Sequence, residues 1–315
     1  MHTLAAMDRR TIRRVLPAAI LLWSAAAAMG CASRREKKSA TEPGESKADK
    51  HYDVAVGSFH NGMYADAKFQ LDKALESDPE HADSHYLRGV LLLNEGKTIV
   101  DAIEYEQCLV DDASQQQRER AESLHRDASL SFERAAGFFK DGAAGKGRAL
   151  NSMSVVSLYF HDNKGAVTHA EKALGQQFYT DRYSALSNLG WAHYQLGDLV
   201  SATASLRQAV MINPDYCVGH YRLAQVYLDS GLTESALEHA VKVMEADRCP
   251  IQDAYRIAGV ARLRLGQDGD AQAAFQKCVE IAPRSCLAAD CAKLLDAETP
   301  RESTVARGDA ESAEP

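Results

Sequence analysis

Seven cysteines and eleven histidines carry most of the chemistry available to this 315-residue chain, and their spacing limits what that chemistry is. Cys31 and Cys108 stand apart, while Cys217, Cys249, Cys278, Cys286 and Cys291 crowd the last third. No Cys-x-x-Cys pair occurs, so a zinc site of closely spaced thiolates is not indicated. In an oxidising compartment such density predicts disulfides, and the six cysteines after Cys31 allow fifteen full pairings. His81 and His85 lie one helical turn apart, but His81 follows Pro79, where a helix only begins, and no third ligand accompanies them. They read as solvated or half-packed side chains. No glycine-rich phosphate loop, Gly-x-Ser-x-Gly elbow or His-Glu-x-x-His helix appears, and carboxylate pairs such as Asp111-Asp112 sit in polar stretches. The expectation is a protein that is not an enzyme, with no cofactor, metal or small-molecule substrate.

The elements that would position these residues begin after an address. Arg9, Arg10, Arg13 and Arg14 make a basic start, Val15 to Met29 is apolar, and Ala28-Met29-Gly30-Cys31 closes the segment. That is the layout of a signal peptide over residues 1–30, too short in its apolar run for a permanent spanning helix. The small residue before Cys31 resembles the bacterial lipobox, in which the cysteine is lipidated and becomes the mature N-terminus. Ala28 stands where that motif usually has Leu. Export is expected through the general secretory route. Removing residues 1–30 takes four Arg and one Asp, leaving 32 basic and 43 acidic side chains and a net charge of −11, against −8 for the whole chain. So acidic a body lacks the basic face that sequence-independent nucleic-acid binding needs. Residues 31–47 are polar and read as a flexible tether. The polar stretch 298–315 reads as a disordered tail.

Between tether and tail the pattern is helical and repeats. Pairs of small or apolar residues seven apart recur: Ala67/Ala74, Ala102/Leu109, Ala128/Ala135, Ala166/Ala173, Ala202/Ala209, Ala236/Val243 and Ala271/Cys278. Their first members are 35, 26, 38, 36, 34 and 35 residues apart. Five places before them stand Gly62, Gly197, Gly231 and Gly266; twelve places after them stand Pro79, Pro214 and Pro283; twelve places before them stand Gly190 and Gly259. This pattern resembles the tetratricopeptide repeat, or TPR. Each unit would be two antiparallel helices, with glycine permitting the turn, proline ending the second helix, and the alanine pair facing the next unit. The expected fold of residues 48–297 is all-α: a right-handed TPR superhelix of six to seven helix pairs, closed by a capping helix over Cys286 to Asp296. The third unit, about 112–146, departs from the pattern. Its Ala128 comes early, so its first helix is expected to be short or merged with the helix before it; Gln115 to Arg120 is polar, and Asp141 to Gly147 reads as a loop. His51 and His220 fall sixteen places before their units' alanine, a place that favours packing.

On this frame the cysteines can be placed. Cys217 begins one first helix and Cys249 lies just before the next, so a bond between them would staple neighbouring units. Cys278 faces the closing helix, which carries both Cys286 and Cys291, and either could be its partner. Cys108 reads as a small buried apolar residue.

A lipobox, a short tether and a TPR body together resemble the type IV pilus biogenesis lipoproteins PilF, PilW and Tgl. The more particular marks are Ala149-Leu150-Asn151, Leu189-Gly190-Trp191 and the cysteine-rich end from Arg248-Cys249-Pro250 to Cys291. The resemblance implies a pilotin: an outer-membrane lipoprotein, held at the periplasmic face through Cys31, that helps secretin subunits insert and multimerise for pilus biogenesis and pilus-driven motility. The alternative is a general periplasmic TPR scaffold lipoprotein for envelope assembly. A third reading, an enzyme with its site in 112–147, belongs to another class. For a TPR groove the inward places hold Tyr52, Phe59, Asn151, Trp191, Tyr194, Tyr221 and Gln225. Aromatic side chains with polar tips suit peptide recognition. The paired Lys and Asn of a TPR carboxylate clamp are lacking, so the expected ligand is an internal segment of a secretin subunit.

Overall fold

The computed structural model describes residues 45–106, 112–246 and 249–298. Among them are thirteen helices and no strand: α1 (Lys47–His60), α2 (Tyr64–Ser77), α3 (Ala82–Glu106), α4 (Asp112–Phe138), α5 (Ala144–Tyr159), α6 (Asn163–Leu174), α7 (Arg182–Gln195), α8 (Leu199–Ile212), α9 (Cys217–Asp229), α10 (Thr233–Glu245), α11 (Asp253–Arg264), α12 (Asp268–Ile281) and α13 (Cys286–Glu298). Consecutive helices pack on one another from α1 to α13, except that α3 and α4 dominate their own neighbourhood. The result is an all-α solenoid of six helix pairs with α13 laid against α12. The signal peptide, Cys31, most of the tether, Cys108 and the tail from 299 onward lie outside the described residues.

The repeat marks do the work expected of them. The alanine stripe of each second helix is wholly buried, from Ala67 and Ala74 through Ala202 and Ala209 to Ala271 and Cys278. Gly62, Gly197, Gly231 and Gly266 hold positive φ at the turn inside each pair, a conformation open to glycine at little steric cost. The α5–α6 pair has no glycine there, and His161 takes φ 57° in its place. Pro79, Pro214 and Pro283 each stand two residues beyond the end of α2, α8 and α12. His85 and His220, six residues after Pro79 and Pro214, donate from Nε2 to those prolyl carbonyls at 2.8 and 2.7 Å. His220 packs as expected, whereas His85, expected to be solvated or half-packed, is buried; each ties the turn before it to the helix that follows.

The region around 82–146 differs from the sequence expectation: the third unit's first helix is merged not with the helix before it but with the one after it, in α4. Where four other units have a turn glycine, this stretch has Lys97 and Ser123, and neither breaks its helix. Two units are thereby merged into one hairpin whose helices run 25 and 27 residues, about 40 Å each at 1.5 Å per residue. Ala102, expected on a buried stripe, is exposed, while Ala121, Ala128 and Ala135 form one continuous buried stripe on α4. The loop expected over Asp141 to Gly147 is shorter, because α5 already begins at Ala144. Close packing holds the hairpin together. A Cβ on Gly89 would lie 2.5 Å from the Phe132 ring, and one on Gly96 would lie 2.5 Å from His125. Both pairs are a heptad apart, so the two long helices meet glycine against ring twice.

Two disulfides join described cysteines and staple the C-terminal pairs. Cys217 is bonded to Cys249 and Cys278 to Cys291, with Cα–Cα distances of 6.1 and 6.2 Å. Of the two partners open to Cys278, the structure selects Cys291; Cys286 is itself disulfide-bonded.

Candidate groove site

The first helices α5, α7, α9 and α11 carry side chains that link each unit to the next, and most links span about one repeat. Asn151 donates from Nδ2 to Ser184 Oγ at 3.0 Å and accepts at Oδ1 from Asn188 Nδ2 at 2.9 Å. Asn188 Oδ1 in turn accepts from Arg222 Nη1 at 2.8 Å, and Ser187 Oγ accepts from the same nitrogen at 3.0 Å. Arg222 lies under the Trp191 ring, 5.6 Å from its centroid. Burial lowers the pKa of that guanidinium, and the asparagine and serine oxygens replace water around it.

A second chain of bonds runs parallel to the first. Tyr221 Oη donates to Asp253 at 3.1 Å, and Arg256 grips both oxygens of Asp253 while donating to Gln225 Oε1 at 3.0 Å. Gln225 Nε2 donates to Asp229 at 2.8 Å, and Tyr194 Oη donates to the same carboxylate oxygen at 2.5 Å. Burial, then Asp229, pushes the Tyr194 phenol up to about 12; burial, then Asp253, raises that of Tyr221. Both phenols therefore stay protonated donors at any physiological pH. Trp191 joins the two chains, with ring centroids 4.8 Å from Tyr194 and 6.2 Å from Tyr221.

Of the seven groove residues expected from sequence, the structure brings Asn151, Trp191, Tyr194, Tyr221 and Gln225 into this one network. Tyr52 and Phe59 lie apart on α1, half-buried in the cluster of Ala55, Leu71 and Leu87. Asn188, Arg222, Asp229, Asp253 and Arg256 were not singled out. One signal for them was present: Asn188, Arg222 and Arg256 are spaced by thirty-four residues, one repeat, on the same helix face.

The site is also walled by the long hairpin. Ile103 and Glu104 of α3 and Arg118 of α4 line a cavity of about 630 Å³ together with Trp191, Tyr221, Arg222 and Asp253. The extended ends of α3 and α4 thus face the first helices of the later pairs. The enzyme reading of 112–147 finds α4, a closely packed helix, over most of its length. Among the described residues no three His, Cys, Asp or Glu side chains converge as a metal site, and no helix is long and apolar enough to cross a membrane.

Residues 59–117, 183–216 and 253–285 each match the tetratricopeptide repeat. The solenoid contains tetratricopeptide repeats over these three stretches. The match over 59–117 runs through Ala102, where the chain keeps the repeat's residues but not its turn. Among solved structures the fold is similar to PilF of Pseudomonas aeruginosa, at 16% identity and TM-score 0.57, covering 79% of this chain and 97% of that one. It is similar also to PilW, described as a widely conserved type IV pilus biogenesis factor, at 16% identity and TM-score 0.60, covering 77% of this chain and 97% of that one. A third similar structure, the APC/C hetero-tetramer Cut9-Hcn1, aligns at 12% identity and TM-score 0.60 over 80% of this chain and 43% of that one. No curated protein matches the chain by sequence.

Proposed function

We propose that this repeat protein is a pilotin: it is lipidated at Cys31, sits at the periplasmic face of the outer membrane, and binds secretin subunits to promote their insertion and multimerisation in type IV pilus biogenesis. The supporting observation is the polar and aromatic face of α5, α7, α9 and α11, carried on a fold that spans nearly all of the PilF and PilW structures. That face is organised before any partner arrives. Trp191, Tyr194 and Tyr221 are held by Arg222, Asp229 and Asp253, so little side-chain freedom remains to be lost on binding. It combines flat apolar area with fixed polar atoms: the Tyr194 and Tyr221 hydroxyls donate to Asp229 and Asp253 and keep lone pairs to accept from the amides of an unpaired segment.

Deleting the gene and running the secretin on an unboiled gel tests this reading. Secretin multimers are expected to give way to monomers, with loss of surface pili. Normal multimers in the deletion strain would reject it. Anchoring is tested separately: Cys31→Ala is expected to leave the protein unprocessed or away from the outer membrane. Its normal fractionation with that membrane would contradict lipidation.

A further inference from the structure

One end of the polar network opens into a small pocket of about 210 Å³, lined by Tyr86, Arg148, Asn151, Tyr179, Asp181 and Ser184 among others. Two of its polar atoms are buried without a hydrogen-bond partner: the Tyr179 hydroxyl and Arg148 Nε. Tyr179 is only 3% exposed, and its ring packs against Gly147, where a Cβ would lie 2.6 Å from the ring's Cγ. Native proteins seldom leave such groups unpaired. Here both unpaired atoms are donors: arginine has no acceptor to offer, and burial and then Asp181 raise the Tyr179 pKa, so the phenol keeps its proton. Arg148 is held over the face of Tyr86, 5.5 Å from the ring centroid. Its Nη2 is 4.0 Å from Asp83, an ion-pair separation beyond hydrogen-bond reach. Asp181 precedes α7 at its N-cap yet makes no capping bond to it.

We propose that this pocket receives a side-chain carboxamide, an Asn or Gln of the partner segment lying in the groove. The carboxamide oxygen accepts from Tyr179 Oη and Arg148 Nε, and its NH₂ faces the Asp181 carboxylate. A carboxylate in the same place would satisfy the two donors but meet Asp181 and Asp83, two like charges around one guanidinium. An ammonium group could donate to Asp181 but would offer no acceptor to Tyr179 Oη or Arg148 Nε. Asn151 and Ser184 line the pocket and also begin the polar chain that leads to Arg222, so one extended segment reaches both. The inference rests on the groove being the partner site, and it deepens that reading by one specific residue class.

The test uses the purified full chain, ¹⁵N-labelled, with the Arg148 Nε–H resonance assigned by its loss in Arg148→Lys. The probes are N-acetyl-asparagine methylamide and its aspartate counterpart at neutral pH. The asparagine compound is expected to shift the resonance saturably, with the aspartate compound about tenfold weaker. Tyr179→Phe is expected to weaken asparagine binding while circular dichroism and the thermal midpoint stay as in the parent. Equal response to both probes, no response to either, or unchanged binding in Tyr179→Phe overturns the proposal. The titration reads the pocket alone, so its failure beside lost secretin multimers in the deletion strain would leave the pilotin reading standing.

Discussion

The α3–α4 hairpin and the α11–α12 pair solve the same packing problem at different lengths. In both, a glycine on the first helix admits a ring from the second: Gly259 against Phe275, Gly89 against Phe132. In both, small residues a heptad apart are buried on the second helix. What separates them is the turn. Gly266 has φ 71° and reverses the chain, whereas Lys97 and Ser123 continue their helices. The stripe that packs a TPR unit and the turn that ends it are therefore independent signals. When the turn is lost the stripe persists and the unit doubles. The second difference lies in the links between units. The later pairs are joined by two disulfides and by the chain from Asn151 to Arg256, whereas the hairpin is tied to its neighbours by ion pairs, Glu95 with Lys68, Arg88 with Asp72 and Asp83 with Arg148.

The largest effect that sharpens this contrast is removal of the staples. Replacing Cys217 and Cys249 by Ser should destabilise the C-terminal pairs by about 4 kcal/mol, and replacing Cys278 and Cys291 by about 3 kcal/mol, from the loops they close. Hydrogen exchange should show faster amides in α9 to α13 and unchanged protection in α3 and α4. A uniform loss would show that the two regions unfold as one body.

Next is the hairpin itself. Gly89→Ala places a methyl group inside the Phe132 ring contact, and overpacking of this kind costs about 2 kcal/mol. Combining it with Phe132→Leu should recover part of that loss in urea unfolding, since the smaller side chain yields. Additive losses would mean that the two residues are not in contact.

Acid should weaken both regions. Burial, then His220, lowers the His239 pKa to about 4, and burial lowers those of His85 and His125 in the hairpin. These groups are neutral in the fold and charge more readily once unfolded. The stability they contribute is full above about pH 6.5 and is lost as pH falls toward 4. His239 alone accounts for on the order of 1–2 kcal/mol, allowing for partial solvent screening. His239→Gln should flatten the acid limb of a stability–pH curve by that share, and an unchanged limb would remove His239 from the account.

The smallest effect is a gain. His161 occupies the left-handed conformation that glycine holds in the other short pairs, so His161→Gly should stabilise by roughly 0.5–1 kcal/mol, after the extra freedom glycine has when unfolded. A lower thermal midpoint would show that the histidine side chain supports the turn.

The sequence pattern carried the repeat, most of its turns and the Cys217–Cys249 pair, and it singled out five residues that the structure joins in one network, because one-repeat spacing is written directly in residue types. Two things escaped it. The merged hairpin keeps the alanine marks, so the alanine pairs number one more than the helix pairs; the missing glycines at Lys97 and Ser123 do not decide it alone, since His161 turns the chain without one. The partners of the groove aromatics were missed because Arg222, Asp229 and Asp253 look like ordinary surface charges until their phase is compared from unit to unit. Tyr52 and Phe59 share the aromatic type of the groove set, but they pack half-buried beside Leu71 and Leu87.

The pilotin account turns on whether the Trp191 face receives the secretin. The direct measurement is the secretin multimer on an unboiled gel from cells whose only copy carries Trp191→Ala and Tyr194→Ala, beside cells carrying Tyr52→Ala and Phe59→Ala. The account predicts multimer loss in the first strain, with protein level and helical content retained, and multimers in the second wherever the protein is still folded. Wild-type multimers in the first strain would contradict it and move the contact away from this face.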